Sequence, residues 1–339
     1  MVTARHDRPR IVVVTPVKDE AWILDTFLSA TTSWADEVII ADQQSTDGSV
    51  DIARRYDRVR VVQNDSQQYD EGYRQRLLLE EARKVPTPRI IFALDADEVL
   101  SANALNNDFF DQIAALPPGA GIRLKWVQLL PGLTRAWLPP EVTYFGFVDD
   151  GSEHTGHKLH STRLPVVDGA PQLTTDEVVM LHLNYLAVER SRSKHSWYQC
   201  WERLHFPKKR PVQIYRQYHP LEGIHPHEVQ GVNRDWLAAY AQDDIKIPSH
   251  FVTPPTRWDR EVLEWIRSYG RDRFAKLDIW DVDWSRKARE LGCDIPPAAL
   301  ADPRSATDRS VMNWLARTQP RAGDRRVRWA QRSLRLFGW

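Results

Sequence analysis

Asp95-Ala96-Asp97-Glu98 places three carboxylates in four residues, directly after the apolar run Ile90-Ile91-Phe92-Ala93-Leu94. Carboxylate oxygens are hard ligands that suit Mg²⁺ or Mn²⁺, and those ions in turn hold phosphates. Unpaired acids beside an apolar strand are costly unless a cation or hydrogen bonds compensate them. The chemistry this spacing offers is therefore the metal-assisted binding of a phosphate-bearing ligand, a nucleotide above all. An Asp-x-Asp alone also ends many strands as a simple acidic turn, so the surrounding elements must decide. A second cluster, His154, His157 and His160, has enough imidazoles for zinc. Strand alternation puts His154 and His157 on opposite faces, so acceptor contacts or ordinary loop histidines are the preferred reading.

The elements that must position these acids alternate strand and helix. Ile11 to Val14 is a continuous β-branched run and hence a buried strand, followed by Thr15-Pro16 and a helical stretch carrying Trp22, Ile23, Thr26, Phe27 and Ala30. Val38 to Ala41 is a second strand, ending at Asp42. Gln43 to Gly48 is a polar turn, and Val50, Ile52, Ala53 and Tyr56 mark a second helix. Arg60 to Val62, a helix over 71–84 and the strand Ile90 to Leu94 complete the pattern. Repeated βα units imply a parallel sheet with right-handed crossovers. Ligands bind such sheets at the carboxyl ends of the strands, so Thr15 to Lys18, Asp42 to Ser45 and Asp95 to Asp97 should converge on one cleft. No Gly-x-Gly-x-x-Gly follows the first strand, and no phosphate-binding Gly-x-x-x-x-Gly-Lys-Ser/Thr occurs, which disfavours dinucleotide and P-loop chemistry.

Composition bounds the answer further. The 339 residues carry 46 basic and 46 acidic side chains, so no global field argues for nucleic acid, and none is expected as a partner. Apolar content of 42% and charged content of 27% are ordinary for a globular chain. No apolar run approaches the roughly 20 residues of a membrane helix, and Met1 to Arg10 lacks the apolar core of a signal peptide. Cys200 and Cys293 are too few for a disulfide framework and read as small buried hydrophobes. Together these features point to the cytoplasm. The 14 Trp and 22 Pro concentrate after residue 120, which suggests two regions with different tasks.

Three stretches then resemble one family. Thr15-Pro16-Val17-Lys18-Asp19-Glu20, Ala35-Asp36-Glu37-Val38-Ile39-Ile40-Ala41-Asp42-Gln43-Gln44-Ser45-Thr46-Asp47-Gly48-Ser49 and Leu94-Asp95-Ala96-Asp97-Glu98 resemble, in order, the Pro-x-x-Asn-Glu turn, the Asp-Asp-x-Ser-x-Asp-Gly loop and the Leu-Asp-Ala-Asp metal motif of family 2 glycosyltransferases. The resemblance covers residues 10 to 100. It implies a GT-A fold of α/β class: a Rossmann-like, mostly parallel sheet flanked by helices, here with a helical, Pro- and Trp-rich C-terminal extension. It implies a GT-A domain over 1–200, with a nucleotide-sugar half at 10–100 and an acceptor half at 101–200, and an extension over 201–339. It implies a metal-dependent hexosyl transfer, inverting in outcome, from a nucleoside diphosphate sugar to an acceptor glycan, lipid or small molecule. UDP is the family's commonest nucleotide, and GDP is the alternative.

Carried over residue by residue, Thr15, Pro16, Lys18 and Glu20 would border the base and ribose, and Asp42 would bond the base. Ser45 and Asp47 would shape the pocket, Asp95 and Ala96 would face the ribose or diphosphate, and Asp97 with Asp95 would bind Mn²⁺ or Mg²⁺. Lys18-Asp19 replaces the usual variable-Asn pair, and Gln43 replaces the second Asp of Asp-Asp, which leaves the base open. Turn chemistry offers another account of Asp47-Gly48, and helix capping of Asp42. Arg74, on the third helix, matches a place where the family touches nucleotide phosphate, and is equally read as a solvated helix charge.

Beyond residue 120 the pattern thins. Gly121 to Val127 alternates as a half-buried strand, and Tyr144 to Val148 is an aromatic strand ending in Asp149-Asp150-Gly151. An inverting transfer needs a carboxylate to take the acceptor's proton. Asp150, Asp149 and Glu153, in that order, are the candidates, because they follow a strand on the acceptor side. Val178 to His182 is a further strand. By resemblance to lipopolysaccharide-core members, His182 would complete the metal shell, and Arg190 or Lys194 would neutralise the leaving diphosphate. A neutral core histidine at a strand end is the other account of His182. Residues 203–260 read as a Pro-rich loop region, 258–293 as helical, and 302–323 as a polar link with one short helix. Arg325 to Trp339 is basic and aromatic. It suits either peripheral contact with the inner face of a membrane or an amphipathic helix packed on the domain or at an oligomer interface. Two other functions fit the same pocket: a nucleotidyltransferase, which would carry a Gly-rich basic loop where Pro16 stands, and a non-catalytic nucleotide-sugar-binding scaffold.

Overall fold

The computed structural model describes residues 8–66, 70–157, 161–166 and 169–339; His160 lies outside them. The strands are β1 (Arg10–Val17), β2 (Glu37–Asp42), β3 (Val59–Gln63), β4 (Arg89–Ala93), β5 (Glu98–Leu100), β6 (Gly121–Leu129), β7 (Arg135–Trp137), β8 (Val142–Val148), β9 (Gln172–Thr174), β10 (Met180–His182) and β11 (Val229–Gly231). Helices α1 (Ala21–Thr32), α2 (Ser49–Ala53), α3 (Glu71–Ala82) and α4 (Phe109–Ala114) lie between the early strands. The later helices are α5 (Val188–His205), α6 (Pro211–Tyr218), α7 (Pro220–Gly223), α8 (Asp235–Gln242), α9 (Arg257–Tyr269), α10 (Trp284–Glu290), α11 (Pro297–Leu300), α12 (Ala306–Thr318) and α13 (Arg325–Ser333). The chain divides into two compact units, residues 1–186 with 230–250, and residues 187–229 with 251–339.

The first unit is a mixed α/β sheet whose centre is parallel. Strands run in the order β7-β6-β8-β4-β1-β2-β3, with β3, β2, β1 and β4 mutually parallel. The parallel strands carry continuous apolar runs because both faces are covered. Val12, Val14, Ile39, Ala41, Ile91 and Ala93 share one face and pack on Leu78, Leu79 and Ala82 of α3. Phe92 points the other way and meets Trp34, which follows α1, edge to face at 5.3 Å. Next to β4 the direction reverses. β8 is antiparallel to β4, and β6 is antiparallel to β8. β10 then runs parallel to β6 and antiparallel to β5. These pairings decide where each strand-end carboxylate emerges.

The second unit is helical. Val262, Leu263 and Ile266 of α9 pack with Phe274, Leu277, Trp280 and Trp284 around the buried Cys200. The helical stretch expected over 258–293 breaks at Gly270, whose φ of 78° is open to glycine at little cost. The polar link expected over 302–323 instead holds a thirteen-residue helix, α12. Its start is a reciprocal cap, with Ser305 accepting from the Asp308 N–H and the Asp308 carboxylate accepting from the Ser305 N–H. No helix among the described residues is long and apolar enough to cross a membrane.

Candidate active site

The loop after β2 builds the first wall of the cleft. Ser45 Oγ accepts the Asp19 N–H at 2.9 Å, Ser49 Oγ accepts the Glu20 N–H at 2.9 Å, and Asp47 Oδ2 accepts the Ala21 N–H at 2.8 Å. These bonds satisfy donors at the start of α1 that have no helical partner, and they fix the loop across the end of β1. Gly48 makes the turn with a φ of 93°. Ser45 and Asp47 thus shape the pocket through backbone bonds. Lys18 reaches back to the Gln43 carbonyl at 2.9 Å, and the Glu20 carboxylate accepts the Trp22 indole N–H. Gln43, which stands where the family has an acid, donates its amide to the Ser66 carbonyl at 2.9 Å.

Among the described residues, two polar atoms on this wall lack a hydrogen-bond partner. Asp42 is 3% exposed; its Oδ2 accepts the Ser45 N–H at 3.2 Å, while its Oδ1 is buried and unpaired. The Thr15 hydroxyl, fully buried near the carboxyl end of β1, is also unpaired. Buried polar atoms left without hydrogen bonds cost free energy, and such groups at a strand-end cleft are what a ligand's N–H or O–H would satisfy. Beyond β3, a cavity of about 450 Å³ is lined by Asp65, Ser66, Asp70, Tyr73 and Arg76. Its lining takes Arg76 of α3 and not Arg74.

The second wall is acidic. Glu98 N–H closes a turn on the Asp95 carbonyl, and Glu98 then opens β5. Because β5 pairs antiparallel with β10, Glu98 stands opposite His182, and the Leu183 N–H bonds the Asp97 carbonyl at 2.8 Å. This short ladder brings His182 to the Asp-x-Asp turn across 85 residues of chain. His182 Nε2 lies 3.3 Å from Asp97 Oδ2, while Nδ1 lies 2.6 Å from Gln128 Oε1 and the ring stacks on Trp126. Gln128 and Trp126 thereby fix the ring's orientation.

Arg163 was not anticipated from the sequence. Its guanidinium meets Asp95 Oδ2 at 3.0 Å, both Glu98 oxygens at 2.5 and 2.9 Å, and the faces of Trp126 and Phe145. Burial acts to lower the Arg163 pKa, but Asp95 and Glu98 together hold it above its ordinary value. Glu98 is fully buried, and it also accepts the Asp95 N–H at 2.8 Å. The signal that could have found Arg163 is Glu98 itself, since a carboxylate in the all-buried strand Glu98-Val99-Leu100 requires a cation.

A divalent ion's fit can be judged from these side chains. Ligands adjacent around an octahedral ion with bonds of about 2.1 Å stand roughly 3 Å apart, and Asp97 and His182 meet that spacing. Asp95, expected as the third ligand, instead gives Oδ2 to Arg163. Among the described residues no three His, Cys, Asp or Glu side chains group as a complete shell. A carboxylate, an imidazole and phosphate oxygens still fit the habit of Mg²⁺, which completes its sphere with substrate and water.

The expected proton acceptors lie elsewhere. β8 is antiparallel to β4, so Asp149 emerges at the amino end of the parallel strands, and its N–H bonds the Arg89 carbonyl. That is about six residues of strand, or roughly 20 Å, from Asp95. Its side chain is sealed between Arg83 at 2.9 Å and Arg89 at 2.6 Å. Burial acts to raise the Asp149 pKa, but the two guanidiniums overcome it and hold the carboxyl below the usual range. Asp150 accepts the Ser152 N–H at the same end, and Glu153 follows it in the chain. None of these three is brought to Asp97. His154 accepts the Gly156 N–H at Nδ1 and sits 2.7 Å from the Thr162 carbonyl at Nε2, so it ties its own loop. Arg190 and Lys194 belong to the second unit, where both lie over the Trp258 ring.

Residues 12–107 match glycosyl transferase family 2. The matched stretch runs from β1 past the Asp95–Glu98 turn and β5, and leaves the rest of the chain unmatched. No curated protein matches the chain. Among solved structures, a 4-diphosphocytidyl-2C-methyl-D-erythritol synthase is 15% identical, with 37% of this chain and 63% of that chain covered and a TM-score of 0.28. HddC from Yersinia pseudotuberculosis is 8% identical, covering 51% and 93%, with a TM-score of 0.30. Mannose-1-phosphate geranyltransferase from Thermus thermophilus is 15% identical, covering 42% and 51%, with a TM-score of 0.28. The chain thus spans less than two thirds of the first and last of these, and likeness this slight adds nothing on function.

Proposed function

We propose that this protein is a metal-dependent glycosyltransferase that takes a sugar from a nucleoside diphosphate sugar, UDP before GDP. The observation that carries this reading is the convergence, at one end of the sheet, of the unpaired Asp42 oxygen and the Asp97–His182 pair. Asp42 Oδ1 accepts an imide-type N–H, which uracil and guanine both present, and Thr15 adds a second hydrogen-bonding group nearby on β1. Pro16, Lys18 and Glu20 border the ribose, with Ser45 and Asp47 keeping the loop in place. Asp97 and His182 hold Mn²⁺ or Mg²⁺. The ion, when bound, offsets charge gathering on the departing diphosphate.

This chain's own residues do the remaining work. Trp126 and Gln128 keep His182 facing Asp97. Arg163 holds Asp95 and Glu98, so the acidic turn keeps its shape whether or not a ligand is present. With Ala96 and Asp95 facing the ribose or diphosphate, Arg163 offsets part of the acidic charge of the turn close to the phosphates. The glycosyl centre passes through an oxocarbenium-like state, as in glycoside hydrolysis. Asp149, Asp150 and Glu153, at the opposite end of the parallel strands, do not take the acceptor's proton. The acceptor is a glycan, lipid-linked or small molecule.

A thermal-shift series of nucleoside diphosphates with and without Mn²⁺ tests the donor. Ligand that binds only the folded state raises the melting temperature by mass action. The expected result is a Mn²⁺-dependent rise with UDP that Asp42→Asn reduces and Asp97→Ala removes. No rise with any nucleotide would leave the family pattern as ancestry without donor chemistry. A rise accompanied by neither transfer nor slow hydrolysis of the sugar would favour a binding scaffold.

A further inference from the structure

Arg325 to Trp339 presents two faces of opposite character. Val327 and Trp339 are buried, and Trp339 and Leu334 join Val311, Met312 and Leu315 of α12 in one apolar cluster. The Trp339 indole donates to Asp308 at 3.2 Å, and Lys276 Nζ donates to the Phe337 carbonyl at 2.6 Å. These contacts pin the segment and fix which side faces out. On that outer side Trp329 is 70%, Leu336 86% and Phe337 65% exposed. They are three of the nine large hydrophobics exposed among the described residues, gathered within nine positions. Leu336 and Phe337 form the tip of a turn closed by Gly338 at a φ of 72°.

The charge on this face is one-sided. Arg325, Arg326, Arg328, Arg332 and Arg335 are all exposed, and residues 325–339 contain no acid. None of the five forms an ion pair among the described residues. Arg210, also in this unit, lies near enough for Arg335 to add to burial in lowering its pKa. The whole chain is neutral, so this is a local concentration of uncompensated guanidinium. Guanidinium matches phosphate in fork geometry, Trp favours the headgroup level, and Leu-Phe at a protruding tip gains by entering hydrocarbon. A nucleic acid would reward the arginines but give the Leu336-Phe337 tip no apolar phase. A second copy would set five arginines against five across an isologous contact.

We propose that the outer face of α13 and the turn after it, Arg325 to Phe337, binds an anionic phospholipid surface. The chain docks peripherally, with its arginines on lipid phosphates and Leu336 and Phe337 in the acyl boundary. This does not depend on the donor reading, since lipid binding requires neither nucleotide nor metal.

Co-sedimentation of the full chain with phosphatidylcholine vesicles, with and without phosphatidylglycerol, tests it. Binding should require the anionic lipid and weaken as salt is raised. Arg328→Glu with Arg332→Glu should weaken it at least about tenfold, each charge near such a surface being worth about fivefold. Trp329→Ala, Leu336→Ser and Phe337→Ser combined should weaken it comparably without lowering the melting temperature, these side chains being exposed. Absence of vesicle binding, or binding unchanged by the apolar triple variant, would overturn the proposal. So would tighter binding to a short RNA than to the vesicles, or a concentration-dependent dimer in light scattering that the triple variant abolishes.

Discussion

The two ends of the central sheet each hold a carboxylate gripped by arginine, yet they are built for different ends. At the amino end of the parallel strands the Asp149 side chain is 0% exposed, and both its oxygens are taken by Arg83 and Arg89. At the carboxyl end Asp95 is 44% exposed in its side chain, Asp97 faces a histidine instead of an arginine, and Asp42 keeps an oxygen without a partner. A fully paired buried carboxylate has spent its hydrogen-bonding capacity on the fold. One that is half-exposed, or unsatisfied, still has capacity for a ligand. Acid clusters in this molecule are therefore told apart by what their oxygens have left to give, and proximity to arginine alone is a poor guide.

The sharpest way to break the contrast is Asp97→Ala. If the carboxyl end carries the chemistry, transfer should fall about a hundred- to a thousandfold, the order seen when one key electrostatic group is removed from an active site. The melting temperature should barely move. Asp149→Ala should do the reverse, costing about 3 kcal/mol in urea unfolding because it strands the buried Arg89 guanidinium and the partly buried Arg83. Activity per folded molecule should be unchanged. Full activity in Asp97→Ala, or lost activity in a folded Asp149→Ala, would collapse the distinction.

Much of the carboxyl end was legible in the sequence and little of the amino end, for a topological reason. Ile11 to Val14, Val38 to Ala41 and Ile90 to Leu94 are apolar throughout because parallel strands are covered on both faces, and that marks their ends as cleft positions. Tyr144 to Val148 reads as a strand equally well, but nothing in a single strand says which way it runs. Because β8 is antiparallel, its carboxyl end lies at the opposite edge, and Asp149 with Asp150 goes there with it. Glu98 calls for a cation, but nothing in the sequence singles out Arg163 to supply it, because its partners Asp95 and Glu98 lie 68 and 65 residues earlier with no periodicity joining them. The start of helix α12 is legible in Ser305 and Asp308, whose spacing is a helix-start signature.

Acid titration sharpens the comparison further. Because Asp149 has a folded pKa held below its unfolded value, its contribution is present above about pH 3.9 and is lost as pH falls through the folded value. Urea midpoints measured from neutral pH downward should therefore drop over that acid range. Asp149→Asn should be less stable at neutral pH and show a flatter acid limb, because it has no such proton to take up. An acid limb identical to that of the parent would remove Asp149 from the account of stability.

The smallest expected effect separates the two arginine sites most finely. Arg163→Lys and Arg89→Lys both keep the charge and lose the fork. Arg89 bonds Asp149 and the Arg83 and Val85 carbonyls, so its replacement should cost on the order of 1 kcal/mol of stability and leave nucleotide affinity alone. Arg163 bonds Asp95 and Glu98 at once, and a lysine ammonium reaches both less well. Its replacement should cost a similar stability and in addition weaken Mn²⁺-dependent nucleotide binding several-fold, since Asp95 and the turn carrying Asp97 lose their common anchor. Calorimetric titration of both variants with UDP and Mn²⁺ reads that difference directly. Equal affinities would make Arg163 a second Asp149-type pairing, a clasp of the fold that happens to lie beside the site.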